Sequence, residues 1–177
     1  EYRTVFVRLV DDDGTEGWGE AAATPYYGET AETVLAVLDR VRPVLERADP
    51  WQIEATEAAI HRSIGRNPAA KVAVSMALWD LAGKRAGQPL WKLWGLDPAA
   101  SPKSSFTIAI PATLDDLRAR VREAVEAGYP VLKVKLGSDR DEQIIRTVRE
   151  TAPQALLRVD ANCAWTPRRA LAMIPLL

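Results

Sequence analysis

The sequence predicts an α+β region followed by a second region in which strands and helices alternate around a parallel sheet. Three observations carry this reading. An extended, alternating stretch is broken by the turn cluster Asp11-Asp12-Asp13-Gly14-Thr15 and then resumes, as in an antiparallel hairpin. Residues 30–86 carry apolar side chains at helical spacing. From Ser105 onward, apolar strand-like runs recur about every 25 residues with helical patterns between them.

The elements follow in order. Val5, Val7 and Leu9 fall on one side of the first strand, and Phe6, Arg8 and Val10 on the other. Residues 16–22 form the return strand, and residues 23–28, with Pro25 and two tyrosines, form a loop. A helix is expected over 30–48, bent or interrupted at Pro43, and a second over 51–64. A third spans 68–86. There Val72, Val74, Met76, Leu78, Trp79 and Leu81 cover most of the surface, which predicts burial on several sides. Pro98 and Pro102 mark a boundary within 96–102, dividing residues 1–100 from 101–177. Beyond it come a strand over 105–110, a helix capped by Thr113 and closed by Gly128, and a strand over 131–136. A helix over 139–151 and a strand over 156–160 follow, and Thr166-Pro167 opens a further helix. This βαβαβα order calls for parallel strands with right-handed crossovers.

Composition excludes several classes. The 177 residues hold 23 Lys+Arg against 24 Asp+Glu, so no basic excess attracts nucleic acid. Hydrophobic residues make up 47%, enough for a packed core, and no apolar run reaches the roughly 18 residues that span a bilayer. No nucleic-acid or membrane partner is expected. The single cysteine, Cys163, rules out an internal disulfide and fits a cytoplasmic location. The single histidine, His61, rules out a multi-histidine metal site and reads as structural or exposed. Cys163 reads as a small buried thiol, and the six tryptophans, Trp165 among them, read mostly as core. Gly14, Gly17 and Gly19 do not form a phosphate loop, because no helix starts behind them. A closed (β/α)8 barrel takes about 250 residues. The second region is therefore either an open three-stranded sheet or the front of a longer barrel, and the first residue, Glu1, fits either a processed start or a chain that is a piece.

Candidate chemistry lies on one face of the three strands. In residues 131–136, Leu132, Val134 and Leu136 share an apolar face, and Val131, Lys133 and Lys135 share the other. Strands of a parallel sheet are usually covered on both faces, so two ammonium groups there need counter-charge or a polar cavity. An edge strand with solvated lysines is one reading. A paired-lysine acid/base site is the other. Arg158 and Asp160 share a face of the next strand, and Asp160 stands at its C-terminal end, where parallel α/β folds build their sites. A loop or capping aspartate is the plain alternative to a Mg2+ ligand there. Ser105, Thr107 and Ala109 keep the corresponding face of the first strand small and polar.

The run Val-Leu-Lys133-Val-Lys135-Leu-Gly, followed by Arg-Val-Asp160-Ala-Asn162-Cys-Ala-Trp165, resembles the enolase superfamily in its muconate-lactonising subgroup. Ala77 to Lys84 with Gly87-Gln-Pro89-Leu is similar to the family's helical signature before the barrel, and Gly17-Trp-Gly19-Glu20-Ala to a strand of its capping domain. Phe106-Thr107-Ile108 leans toward the dipeptide epimerases. The resemblance implies an α+β capping domain, lacking its first strand, followed by the first three β/α units of a TIM-type barrel. It implies Lys135 as the acid/base at the substrate α-carbon, Lys133 beside the substrate carboxylate, and Asp160 as one of three carboxylate ligands of Mg2+. Asn162 and Thr107 would lie near the site, and Thr24, Tyr26 and Tyr27 in a mobile capping-domain loop. The implied activity is Mg2+-dependent epimerisation of a dipeptide, with o-succinylbenzoate synthase, N-acylamino-acid racemase and muconate cycloisomerase as rivals. A non-catalytic binding module is the alternative of another class. The remaining ligands and a second lysine are expected outside 1–177, so this segment alone is expected to be inactive; a homo-oligomer is left open.

Overall fold

The computed structural model describes residues 3–177. It divides into two compact units, one ending at Ala99 and the other starting at Ala100.

In the first unit, β1 (Val5–Val10) pairs antiparallel with β2 (Glu16–Ala21), with Val5 opposite Ala21 and Val10 opposite Glu16. The turn closes because Gly14 takes φ 83° and donates its N–H to the Asp11 carbonyl. As the alternation predicts, Val7 is buried with Val5 and Leu9 beside it, while Phe6 and Val10 are exposed. Three helices cover the inner face: α1 (Ala31–Leu45), α2 (Ile53–Ser63) and α3 (Pro68–Arg85). The start of α1 is set by a reciprocal cap, Thr30 Oγ1 accepting from the Thr33 N–H while Thr33 Oγ1 accepts from the Thr30 N–H. Pro43 is accommodated inside α1, which runs on to Leu45.

The hairpin and α3 touch backbone to backbone. A Cβ on Gly19 would lie 2.8 Å from the Ala73 carbonyl carbon and closer still to its oxygen, and a Cβ on Gly17 would fall on the Ala77 carbonyl oxygen. These two glycines, set aside as a phosphate loop, therefore serve packing. The first turn of α3 is held by Glu29, a buried residue whose carboxylate accepts from the Ala69 N–H. Val34, Val37, Val41, Ile60, Val74 and Leu78 form the core with Val7 and Ala21.

Three expectations change here. Val72 and Met76 are exposed, so α3 buries a narrower stripe than its apolar content suggested. A short helix, α4 (Leu90–Leu93), follows Pro89 and was not read from the sequence. None of the six tryptophans is fully buried. Trp18, Trp51, Trp91 and Trp94 are exposed, and Trp18 and Trp51 lie under the guanidinium groups of Arg8 and Arg85, at 5.8 and 5.3 Å. A large ring with a polar N–H gains from a cation at the surface without a place in the interior.

The second unit alternates as predicted: β3 (Ser105–Ile108), α5 (Leu114–Glu126), β4 (Val131–Lys135), α6 (Asp141–Thr151), β5 (Leu156–Asp160) and α7 (Pro167–Met173). The sheet is parallel, in the order β3-β4-β5. Thr107, Lys133 and Arg158 share one register row, and Lys135 stands opposite Asp160 in the row toward the C-terminal ends. Thr113 accepts from the Asp116 N–H and Thr166 from the Arg169 N–H, so both predicted caps form. Gly128 follows α5 at φ 82°, in the left-handed region a closing glycine supplies. Ile108, Leu132, Val134, Leu136, Ile144 and Val148 pack between sheet and helices. β3 stops two residues earlier than expected and α6 begins two residues later. Among the described residues, no helix is long and apolar enough to cross a membrane.

Candidate active site

β4 is the central strand, which overturns the edge-strand reading of its lysines. Because Leu132 and Val134 are drawn into the helix-covered core, strand alternation turns Lys133 and Lys135 to the opposite face. The counter-charge is Asp160. Its Oδ2 accepts from Lys135 Nζ at 2.8 Å and lies 3.0 Å from Lys133 Nζ. Lys135 also donates to Asn162 Oδ1 at 2.7 Å. Asn162 takes φ 45°, which asparagine tolerates better than most residues, and its N–H returns to Asp160 Oδ1 at 2.9 Å. Hydrogen bonds from the Lys135 ammonium, the Asn162 N–H and the Lys133 ammonium hold the Asp160 carboxyl well below the usual carboxylate range.

Of the residues singled out in the sequence, Lys133, Lys135, Asp160 and Asn162 are thus linked in one cluster through Asp160. Thr107 is exposed in the register row of Lys133. Thr24, Tyr26 and Tyr27 belong to the first unit. There Thr24 caps a single 3-10 turn, and the two tyrosine rings meet edge to face at 4.9 Å. Cys163 is exposed, contrary to expectation, because the left-handed Asn162-Cys163 pair turns the chain outward behind β5.

The sequence reading gave no role to two residues of this unit. Arg158 lies beside Lys133 and points the other way, donating to Ser105 Oγ at 3.0 Å. Lys133 and Lys135 meet one carboxylate, and Arg158 adds positive charge to the same face, which favours an anionic ligand such as a carboxylate. Asp141 has 0% exposure and accepts from Gly137 N–H, Ser138 N–H, Ser138 Oγ and the Trp165 indole. Its signal in the sequence was slight, one acid in the polar run Ser138-Asp139-Arg140-Asp141 ahead of a helix.

A hard cation suits part of this arrangement. A carboxylate offers about four lone-pair positions, and the two lysines and the Asn162 N–H occupy three, leaving one on Oδ1. Asp160 fits as one ligand. Among the described residues, no group of three or more His, Cys, Asp or Glu side chains is placed to complete a cage.

Comparison with known proteins bears on the fold and the family. A family model described as the mandelate racemase/muconate lactonizing enzyme N-terminal domain matches residues 1–95, and one described as enolase C-terminal domain-like matches residues 116–177. The chain is 41% identical over 167 residues to an L-Ala-D/L-Glu epimerase of Bacteroides thetaiotaomicron, covering 93% of this chain and 42% of that protein. It is 35% identical over 165 residues to an o-succinylbenzoate synthase of Geobacillus kaustophilus, covering 92% and 44%. A crystal structure of a dipeptide epimerase from Cytophaga hutchinsonii, complexed with Mg and the dipeptide D-Ala-L-Val, superposes with a TM-score of 0.88 at 28% identity, over 98% of this chain and 48% of that one. The chain spans about half the length of the relatives it matches. With an N-terminal domain and part of a C-terminal barrel in the enolase-superfamily arrangement, the chain belongs to the mandelate racemase/muconate lactonizing enzyme family.

Proposed function

We propose that the whole protein carrying this chain is a Mg2+-dependent dipeptide epimerase, and that residues 101–177 supply the first three β/α units of its barrel. The observation that carries this reading is the Lys133–Asp160–Lys135 cluster with Asn162, set at the C-terminal ends of β4 and β5. The 41% identity to an L-Ala-D/L-Glu epimerase favours a dipeptide as substrate.

The α-proton beside a carboxylate is very weakly acidic, and its removal spreads negative charge over the carboxylate oxygens. Mg2+, held in part by Asp160, supplies Lewis-acid stabilisation of that charge when bound. Lys133 places a fixed positive charge beside the same carboxylate and costs no reorganisation as the charge grows. Lys135, whose Nζ is aligned by Asp160 and Asn162, takes the α-proton or returns it on one face. Inversion also needs a proton carrier on the opposite face, which this reading assigns to a part of the protein outside this chain. Thr107 and Asn162 line the substrate space on this reading.

The test is proton exchange in D2O by the whole protein, with Mg2+ and a panel of dipeptides. Deuterium should enter at one α-carbon, with the epimer appearing, and Lys135→Ala should lower the rate by a factor on the order of 10²–10⁴ without loss of fold. Undiminished exchange in Lys135→Ala would sink the assignment. The 35% identity to an o-succinylbenzoate synthase supports a second reading, and formation of o-succinylbenzoate with no dipeptide exchange would favour it.

A further inference from the structure

The ends of β4 and β5 lead into loops 136–140 and 161–166, which follow Lys135 and Asp160 directly. The two loops meet at two points. Gly137, at φ 119°, lies so close to the second loop that a Cβ would come within 2.7 Å of the Ala164 Cβ. Asp141 makes the other contact. Its Oδ1 gathers Gly137 N–H, Ser138 N–H and Ser138 Oγ at 2.9, 2.8 and 3.1 Å, which shapes the first loop, and its Oδ2 accepts from Trp165 Nε1 at 2.7 Å, which reaches the second. A carboxylate with no solvent contact is costly to bury unless its hydrogen bonds are made, and here four donors converge on it. Local closure of the loop ahead of α6 explains the Oδ1 bonds, whose donors lie three and four residues back. It does not explain the indole, which comes from a different β/α unit.

We propose that Asp141 is a positioning residue: with Trp165 it clamps the loop after β4 to the loop after β5 and so holds Asn162 of that second loop against Lys135 and Asp160, whose strands the ladder already pairs. The role in turnover rests on the epimerase reading above; the clamp itself does not. The hydrogen bonds of Asp141 and Trp165 do not include Lys133, Lys135 or Asp160, and the clamp acts through the loop that carries Asn162. A displacement of about 1 Å in such a site is enough to cost 10²-fold in rate.

Cys163, the one cysteine of these 177 residues, makes the clamp measurable once any cysteine elsewhere in the whole protein is replaced by serine, because it is exposed and lies in the second loop between Asp160 and Trp165. A nitroxide attached there reports loop mobility in an electron paramagnetic resonance spectrum. Trp165→Phe keeps the ring and removes the donor, and Asp141→Asn keeps the size and removes the charge; whichever of the two folds better serves. The expected result is a markedly more mobile label in the variant, with an unchanged far-ultraviolet circular dichroism spectrum. In the unlabelled whole protein, kcat should fall about 10- to 100-fold with KM within about two-fold of the parent. An equally immobile label overturns the proposal. So does a mobile label with unchanged kcat, since the tie would then serve stability alone. If the parent protein shows no exchange with any dipeptide, the epimerase reading fails while the label spectrum still decides the clamp.

Discussion

Replacing Gly19 by alanine tests the packing of the first unit at its tightest point. The added Cβ would lie 2.8 Å from the Ala73 carbonyl carbon and 3.0 Å from the Ala77 nitrogen, with the Ala73 oxygen nearer still. All three are backbone atoms of α3, so no rotamer change makes room, and helix or strand has to move. A gap of about 1 Å on a packed face forfeits up to half of the dispersion well for each contact. The face at stake includes Ala73, Val74, Ala77 and Leu78, all buried against the hairpin and its neighbours. Overpacking usually costs about 1–3 kcal/mol, and a backbone-to-backbone clash belongs at the upper end, about 3 kcal/mol. Gly14→Ala is the control. It meets no atom within 4 Å and pays only for its φ of +83°, roughly 1 kcal/mol. Urea unfolding followed by tryptophan fluorescence reads mostly the first unit, which holds Trp18, Trp51, Trp79, Trp91 and Trp94. With a slope of about 1–3 kcal/mol/M, the Gly19→Ala midpoint should drop by about 1–3 M. A variant no less stable than Gly14→Ala would refute the close-approach argument.

Further expectations follow from the second unit. Thr113→Ala should destabilise α5 by about 1 kcal/mol, with Thr113→Ser recovering most of it, as read by amide hydrogen exchange over residues 114–117. Burial opposes ionisation of Asp141, but hydrogen bonds from Ser138, Trp165 and Gly137 outweigh it and leave the carboxyl below its ordinary value of 3.8. Its contribution to stability is therefore complete above that value and is lost as the pH falls through the lower folded-state value. The stability gap between the parent and Asp141→Asn should be flat at neutral pH and close only in acid; a gap that opens toward acid would contradict the assignment. Chelation of divalent cations should abolish dipeptide exchange by the whole protein, and Mg2+ should restore it.

The parallel sheet and its caps were legible because local chemistry and tertiary packing agree there. Thr113, Gly128 and Thr166-Pro167 each meet a backbone requirement visible within a few residues. Lys133, Lys135 and Asp160 were legible because charged groups break an otherwise apolar strand, on the face that alternation assigns. What escaped depends on contacts distant in sequence. Asp141 meets Trp165 24 residues away, and Arg158 meets Ser105 at a separation of 53. Nothing local marks those acids and bases off from solvated ones. The exposed tryptophans escaped for a related reason: hydrophobicity ranks a residue's tendency to be buried, while a nearby arginine decides whether the surface suits it as well.

Glu29 governs how the tyrosine turn can move. The turn is closed on itself by Tyr27 N–H and Glu29 N–H, both donating to the Thr24 carbonyl, and its far end is Glu29, whose carboxylate is spent on the first turn of α3. One end of the segment is thus anchored in the interior and the other runs into the last residues of β2. A swing of Tyr26 and Tyr27 has a single pivot, at residues 22–24. Any larger excursion must withdraw Glu29 and strip an 18-residue helix of its cap, so opening of this turn would be written into the exchange rates of the amides at residues 69–71.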